Sequence, residues 1–174
     1  MRYVVPARYP RPVLASAALL LSLPVGALAA ERMVPVSGTG TDLASSAIVH
    51  SRTATPSGSV SQATETIELS GDLQGRVLYQ VTSTVDSARH RLVNTGQQVY
   101  SGTIAGSAPV MLHDSKFRFE EDLASGVGHG TVYLINHIAG PKVQCTLQVT
   151  DTGRNPDGNP TFKYSGECVF AGGG

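Results

Sequence analysis

From residue 34 to residue 170 apolar and polar residues alternate in short runs, and the runs are separated by turn-forming residues. Residues 76–85 (RVLYQVTSTV) are the clearest case. Val77, Tyr79, Val81 and Val85 share one face, and Gln80, Thr82 and Thr84 share the other. A period of two is the signature of a strand with one buried face. Residues 60–70 repeat it with Ala63, Glu65, Ile67 and Leu69 on one side, before the turn Ser70-Gly71-Asp72. Residues 115–121 place Phe117 and Phe119 inward and Lys116, Arg118 and Glu120 outward. Further strands are expected at 34–41, 46–52, 88–93, 97–104 and 109–113. Residues 127–138 are apolar on both faces in places, as in a well-covered strand. Every candidate helix is interrupted by Gly, β-branched residues or Ser and Thr.

Two runs carry the cysteines. Residues 142–150 place Val143, Cys145, Leu147 and Val149 on one face. Residues 162–170 do the same with Phe162, Tyr164, Cys168 and Phe170. The intervening DTGRNPDGNPT is dense in turn residues. Pairing the runs as a hairpin with Cys145 opposite Cys168 sets Val149 against Tyr164, Leu147 against Gly166 and Val143 against Phe170. A slip of one residue would set apolar against polar along the whole ladder. Hydrophobic alternation and a Cys145–Cys168 disulfide therefore select the same register.

Eight to ten antiparallel strands with short connections are expected. Closure hides their edges most simply, so a barrel is the first expectation and a β-sandwich the second. The resulting fold class is all-β, with a disulfide-linked C-terminal hairpin.

The N-terminus changes the compartment in which this chemistry is read. Arg2, Arg8 and Arg11 precede an apolar run from Val13 to Leu23, followed by Pro24, Gly26 and Ala27-Leu28-Ala29-Ala30. That is the layout of a secretory signal peptide with a small-residue cleavage site. The apolar run is shorter than the roughly 20 residues that span a bilayer. The organisation expected is a signal peptide at 1–30 and a single β-barrel domain at 31–174, exported to the periplasm or the extracellular space. An oxidising compartment permits the disulfide.

Beyond residue 30 there are 10 Lys and Arg against 13 Asp and Glu, about −3. This weak acidic balance gives no electrostatic reason to expect nucleic acid as a partner. Trp is absent and only 6 Tyr occur. An integral outer-membrane barrel, with its aromatic girdles, is therefore disfavoured.

Candidate chemistry is sparse. The histidines (His50, His90, His113, His129 and His137) form no metal-ligand spacing. His129 and His137 share a parity with Tyr133 but lie about 26 Å apart along a strand. No metal and no cofactor are expected. Glu65 sits on the apolar parity of its strand. Turned into a barrel interior, its carboxylate would be desolvated and suited to act as a general acid or to orient a ligand. At the strand end it would simply meet water, which is the simpler reading. Tyr79, Tyr133 and Tyr164 are also on parities read as inward, and Glu65, Tyr79 and Tyr133 are the candidate ligand-binding residues. Glu120, Glu121, Asp122 and Asp114 form a local acidic cluster without an EF-hand pattern, and a solvated turn is its simpler reading.

Residues 66–119 carry a resemblance. TIELSGDLQGRVLYQVTST is followed by QQVYSGTIAGSAPVMLHDSKFRF. The S-G-D-L-x-G turn and the aromatic-S-G-T-[IL]-x-G-S hairpin leading to H-D-S-x-F are similar to an uncharacterised family of bacterial proteins. That family is assigned an allene-oxide-cyclase-like barrel, which dirigent proteins also resemble. The resemblance covers about a third of the chain. Gly71, Gly75, Gly102 and Gly106 match turn positions, and no catalytic residue is carried over. It implies an eight-stranded antiparallel barrel whose interior could hold a small apolar molecule.

The leading functional expectation is binding of a small apolar or amphipathic ligand. An isomerase or cyclase acting on such a ligand is the alternative, and a structural or interaction protein of the envelope without a ligand is the third. With no catalytic motif, an enzyme is expected less than a binding protein.

Overall fold

The computed structural model describes residues 30–172. The signal peptide expected at 1–30 lies, but for Ala30, outside the described residues. Ten strands follow in order: β1 (Arg32–Asp42), β2 (Ile48–Thr55), β3 (Gly58–Gly71), β4 (Leu73–Asp86), β5 (Arg91–Ile104), β6 (Val110–Asp122), β7 (Val127–Leu134), β8 (Asn136–Ala139), β9 (Val143–Arg154) and β10 (Pro160–Phe170). All pairings are antiparallel, in the order β1-β10-β9-β7-β6-β5-β4-β3, and β1 pairs again with β3. That last pairing closes an eight-stranded barrel, to which β2 and β8 are extra strands on β3 and β6. The barrel expected from the sequence is therefore the fold.

The hairpin of β9 and β10 has the register that alternation selected. Cys145 pairs with Cys168, Leu147 with Gly166, Val149 with Tyr164 and Val143 with Phe170. Cys145 and Cys168 are joined by a disulfide across a Cα–Cα distance of 4.1 Å.

Three strand assignments change. Residues 88–93 and 97–104 were expected as separate strands, but β5 runs unbroken from Arg91 to Ile104. Likewise 109–113 and 115–121 are one strand, β6. In both cases the polar residues that looked like an interruption lie within a paired ladder with a register shift between Gly96 and Gln98. Conversely, 127–138 divides into β7 and β8, which pair with different parts of β6.

The barrel closes where β1 meets β3, and small residues make that approach possible. A Cβ on Gly38 would lie 2.1 Å from the Ser70 carbonyl oxygen and 2.3 Å from the Tyr164 hydroxyl. Gly71 sits opposite with φ +103°, a left-handed conformation that glycine adopts without a steric cost. The Tyr164 hydroxyl accepts the Leu73 N–H at 2.8 Å and lies 3.1 Å from the Ser70 carbonyl oxygen, to which it donates. One side chain of β10 thus satisfies backbone groups of β3 and β4 at the seam.

The two ends of the barrel differ. Leu73, Tyr100, Ile104, Val110, Leu112, Leu134 and the disulfide are essentially without solvent exposure. They come from the starts of β4, β6 and β9 and the ends of β5, β7 and β10, so they fill one end. The opposite end is formed by the other termini of the same strands, and there the interior is not filled.

Candidate functional site

A cavity of about 210 Å³ occupies the unfilled end. Its walls are mainly apolar and aromatic, with Phe117 and Phe119 from β6 and Phe162 from β10. Both β6 phenylalanines face inward as the alternation predicted. Gly128 and Gly130 of β7 lie beneath them. A Cβ on Gly128 would come within 2.3 Å of the Phe119 ring, so glycine leaves the room that this ring fills. The cavity is larger than the engineered apolar cavities of about 150 Å³ that bind benzene, and smaller than a drug-sized pocket.

Polar groups gather at one side of the cavity. Tyr79 is 5% exposed, and its hydroxyl lies 2.8 Å from Asp42 Oδ2 and 2.6 Å from Glu65 Oε2. Each residue arrives by a different route. Tyr79 follows the alternation of β4, and Glu65 is its direct partner on β3. Asp42 is the last residue of β1 and reaches the pair because β1 closes onto β3 with Asp42 opposite Ile67. Tyr79 is further fixed by an edge-to-face contact with Phe117, 6.0 Å between ring centroids.

A single phenolic proton cannot be donated to two carboxylates at once. The geometry fits a shared-proton arrangement in which one carboxyl carries a proton. Burial pushes the Asp42 carboxyl up to about 6; the Tyr79 hydrogen bond opposes this, and the nearby Glu65 charge adds to it. The Tyr79 hydroxyl is raised well above its ordinary range by burial and by both carboxylates, so it remains a phenol. Asp42 Oδ1 is buried and has no hydrogen-bond partner among the described residues, and the same holds for Asn94 Oδ1. Asp42 and Asn94 both line the cavity.

The raised Asp42 carboxyl makes stability depend on pH. The folded chain holds this proton up to about 6, against 3.8 for an unperturbed carboxyl. The stabilisation is therefore complete below the unfolded value and is lost as pH rises through about 6. With partial solvent screening the loss should be on the order of 1–2 kcal/mol. Burial also raises Glu121, with the Asp151 charge adding, so its slope has the same sign. Urea titrations of wild type and Asp42→Asn at intervals from pH 4 to 8 should show a flatter profile for the variant. Parallel profiles would remove Asp42 as the group responsible.

The candidates from the sequence separate cleanly. Glu65 and Tyr79 meet, and Glu65 is half-buried rather than free in water at a strand end. Tyr164 is inward, at the seam and the cavity wall. Tyr133 is a correction: it is 37% exposed and points outward, because Gly128, Gly130, Val132 and Leu134 are the inward residues of β7. The acidic cluster is also dispersed. Asp114 is buried, Glu120 bonds Arg91 and Arg118 outside, Glu121 faces the cavity, and Asp122 accepts the N–H groups of Ala124 and Ser125 in a turn.

Asp42 and Asn94 were not singled out from the sequence, and Glu121 entered only as a member of the acidic cluster, not as an inward residue. Glu121 shares the parity of Phe117 and Phe119, which was the one available signal. Comparison with known proteins adds no assignment: no family model, no curated protein and no solved structure matches the chain.

Proposed function

We propose that this chain is an exported barrel of the allene-oxide-cyclase-like kind that binds a small, largely apolar ligand in the open half of its interior. The observation that carries the reading is the apolar, aromatic-walled cavity of about 210 Å³ at one end of a barrel whose other end is tightly filled. A barrel that needed only a stable core would fill both ends with side chains. Export is supported by the signal-like N-terminus and by the disulfide. Among the described residues no helix is long and apolar enough to cross a membrane.

The test is occupancy of the cavity. Octanol and toluene should each raise the melting temperature of the wild-type protein in proportion to the logarithm of concentration above Kd. Val149→Phe, which places a ring into the cavity wall, should abolish that shift while leaving the protein folded. Absence of a wild-type shift, or an equal shift in the variant, would overturn the reading and leave a structural or interaction role in the envelope.

The Asp42–Tyr79–Glu65 cluster favours a second reading, an isomerase acting on such a ligand. A carboxyl that keeps its proton to about pH 6 can protonate a bound unsaturated molecule at one position. The carboxylate so formed can take a proton from another position, which restores the site with no net change in atoms. Asp42→Asn should then abolish conversion while its circular dichroism matches wild type. Conversion undiminished in Asp42→Asn would exclude the cluster from the chemistry.

A further inference from the structure

The electrostatics of the cavity go beyond apolarity and select the polar end of its ligand. Three carboxyl residues line it, Asp42, Glu121 and Asp151, and Glu65 stands behind Tyr79. Arg154 is the one cationic side chain among the described lining residues, and one of its guanidinium nitrogens donates to the Gly158 carbonyl oxygen at 2.7 Å. Among the described residues two buried side-chain atoms have no protein partner, Asp42 Oδ1 and Asn94 Oδ1; both are oxygens, and their residues both line the cavity. Unpartnered buried oxygens ask for a donor, not for another acceptor. The walls add the rings of Phe117, Phe119 and Phe162, which suit the apolar body of a ligand.

We infer that the ligand is a small lipophilic amine, its ammonium group on the acidic side of the cavity at Asp42 and its apolar body against the phenylalanines. This inference rests on the proposed ligand-binding reading and narrows it. A fatty acid or other carboxylate is disfavoured, because the single arginine faces an excess of acidic groups. A neutral alcohol satisfies one acceptor and gains nothing from the charge. An ammonium group carries three donors and the complementary sign.

Matched probes separate these cases. Octylamine, octanol and octanoate share a chain and differ in the head group. Calorimetric titration of the full protein at pH 7.5 should give octylamine a Kd about ten-fold or more below that of octanol, with octanoate weakest. Asp42→Asn should bring octylamine to within about three-fold of octanol, with an unchanged circular-dichroism spectrum showing that the variant is folded. Val149→Phe should remove all binding, which distinguishes the cavity from adsorption on the outer surface. Equal affinities for octylamine and octanol overturn the amine assignment while leaving a ligand-binding cavity. Tightest binding by octanoate overturns it in favour of Arg154 as the anchor. Binding of none of the three overturns the cavity reading itself.

Discussion

Replacing Asp114 by Ala is expected to destabilise the protein by about 3–5 kcal/mol, enough to consume much of the stability of an ordinary domain. Asp114 is fully buried, yet among the described residues no cation pairs with it; three hydrogen bonds hold it in place. One oxygen accepts the Lys116 N–H at 2.6 Å, and the other accepts the Tyr133 N–H at 2.9 Å and the Gln98 side-chain amide at 3.1 Å. The reason lies in the topology. Strand β6 pairs with β7 over Arg118–Asp122 and with β8 over Met111–His113. Between these two ladders the backbone of β6 has no strand partner on that side. Asp114 fills the break by accepting N–H groups that a continuous ladder would have satisfied. Alanine would leave three donors without acceptors, one buried and two part-buried, each costing about 1–3 kcal/mol.

Asp114→Asn keeps one acceptor oxygen and turns the other position into a donor facing donors. It should cost about 2–3 kcal/mol, less than Ala despite the same loss of charge. Urea denaturation of both variants measures the difference. A loss below about 0.5 kcal/mol for Ala, the range of ordinary surface substitutions, would show that the break between β7 and β8 is satisfied in another way.

This residue also marks where the sequence ceased to be readable. The regular part of the barrel was legible because burial on one face imposes a period of two. The hairpin of β9 and β10 was legible to its register because two cysteines and six other inward residues agree on one alignment. Strand β7 failed for a physical reason. Its inward positions include Gly128 and Gly130, whose space is taken by the Phe119 ring from β6, so the inward face shows little hydrophobic signal in its own sequence. The outward Tyr133 then looked like the buried member.

Asp42 failed for a different reason. Nothing near it in sequence marks it, and its partners Tyr79 and Glu65 are brought to it only by barrel closure between β1 and β3. Local alternation could identify Glu65 and Tyr79 as inward, but only closure could show that a second carboxylate joins them. The unfilled half of the interior was illegible for the same reason, since it depends on how residues from eight strands share one volume.

Replacing Cys168 by Ser is expected to lower stability by about 3 kcal/mol and the melting temperature by about 10 °C while preserving the fold. The bridge closes a loop of sequence separation 23, and its loss restores that freedom to the unfolded chain. The fold should survive because β10 is held from both sides. It pairs with β9 from Pro160 to Phe170 and with β1 from Thr161 to Phe170. Both cysteines lie in the filled end of the barrel, with exposures of 1% and 0%, so serine also places a hydroxyl among apolar side chains. The loss should fall on the filled end and leave the cavity, formed by the opposite strand termini, able to take up octanol. Circular dichroism melts of wild type with and without a reductant give the same comparison without a substitution. Equal melting temperatures under both conditions, or a variant as stable as wild type, would mean that the bridge adds nothing to the folded state. A wild-type melt that drops in reductant to the level of the variant would tie full stability to an oxidising compartment, which is the physical link between this hairpin and the proposed export of the chain.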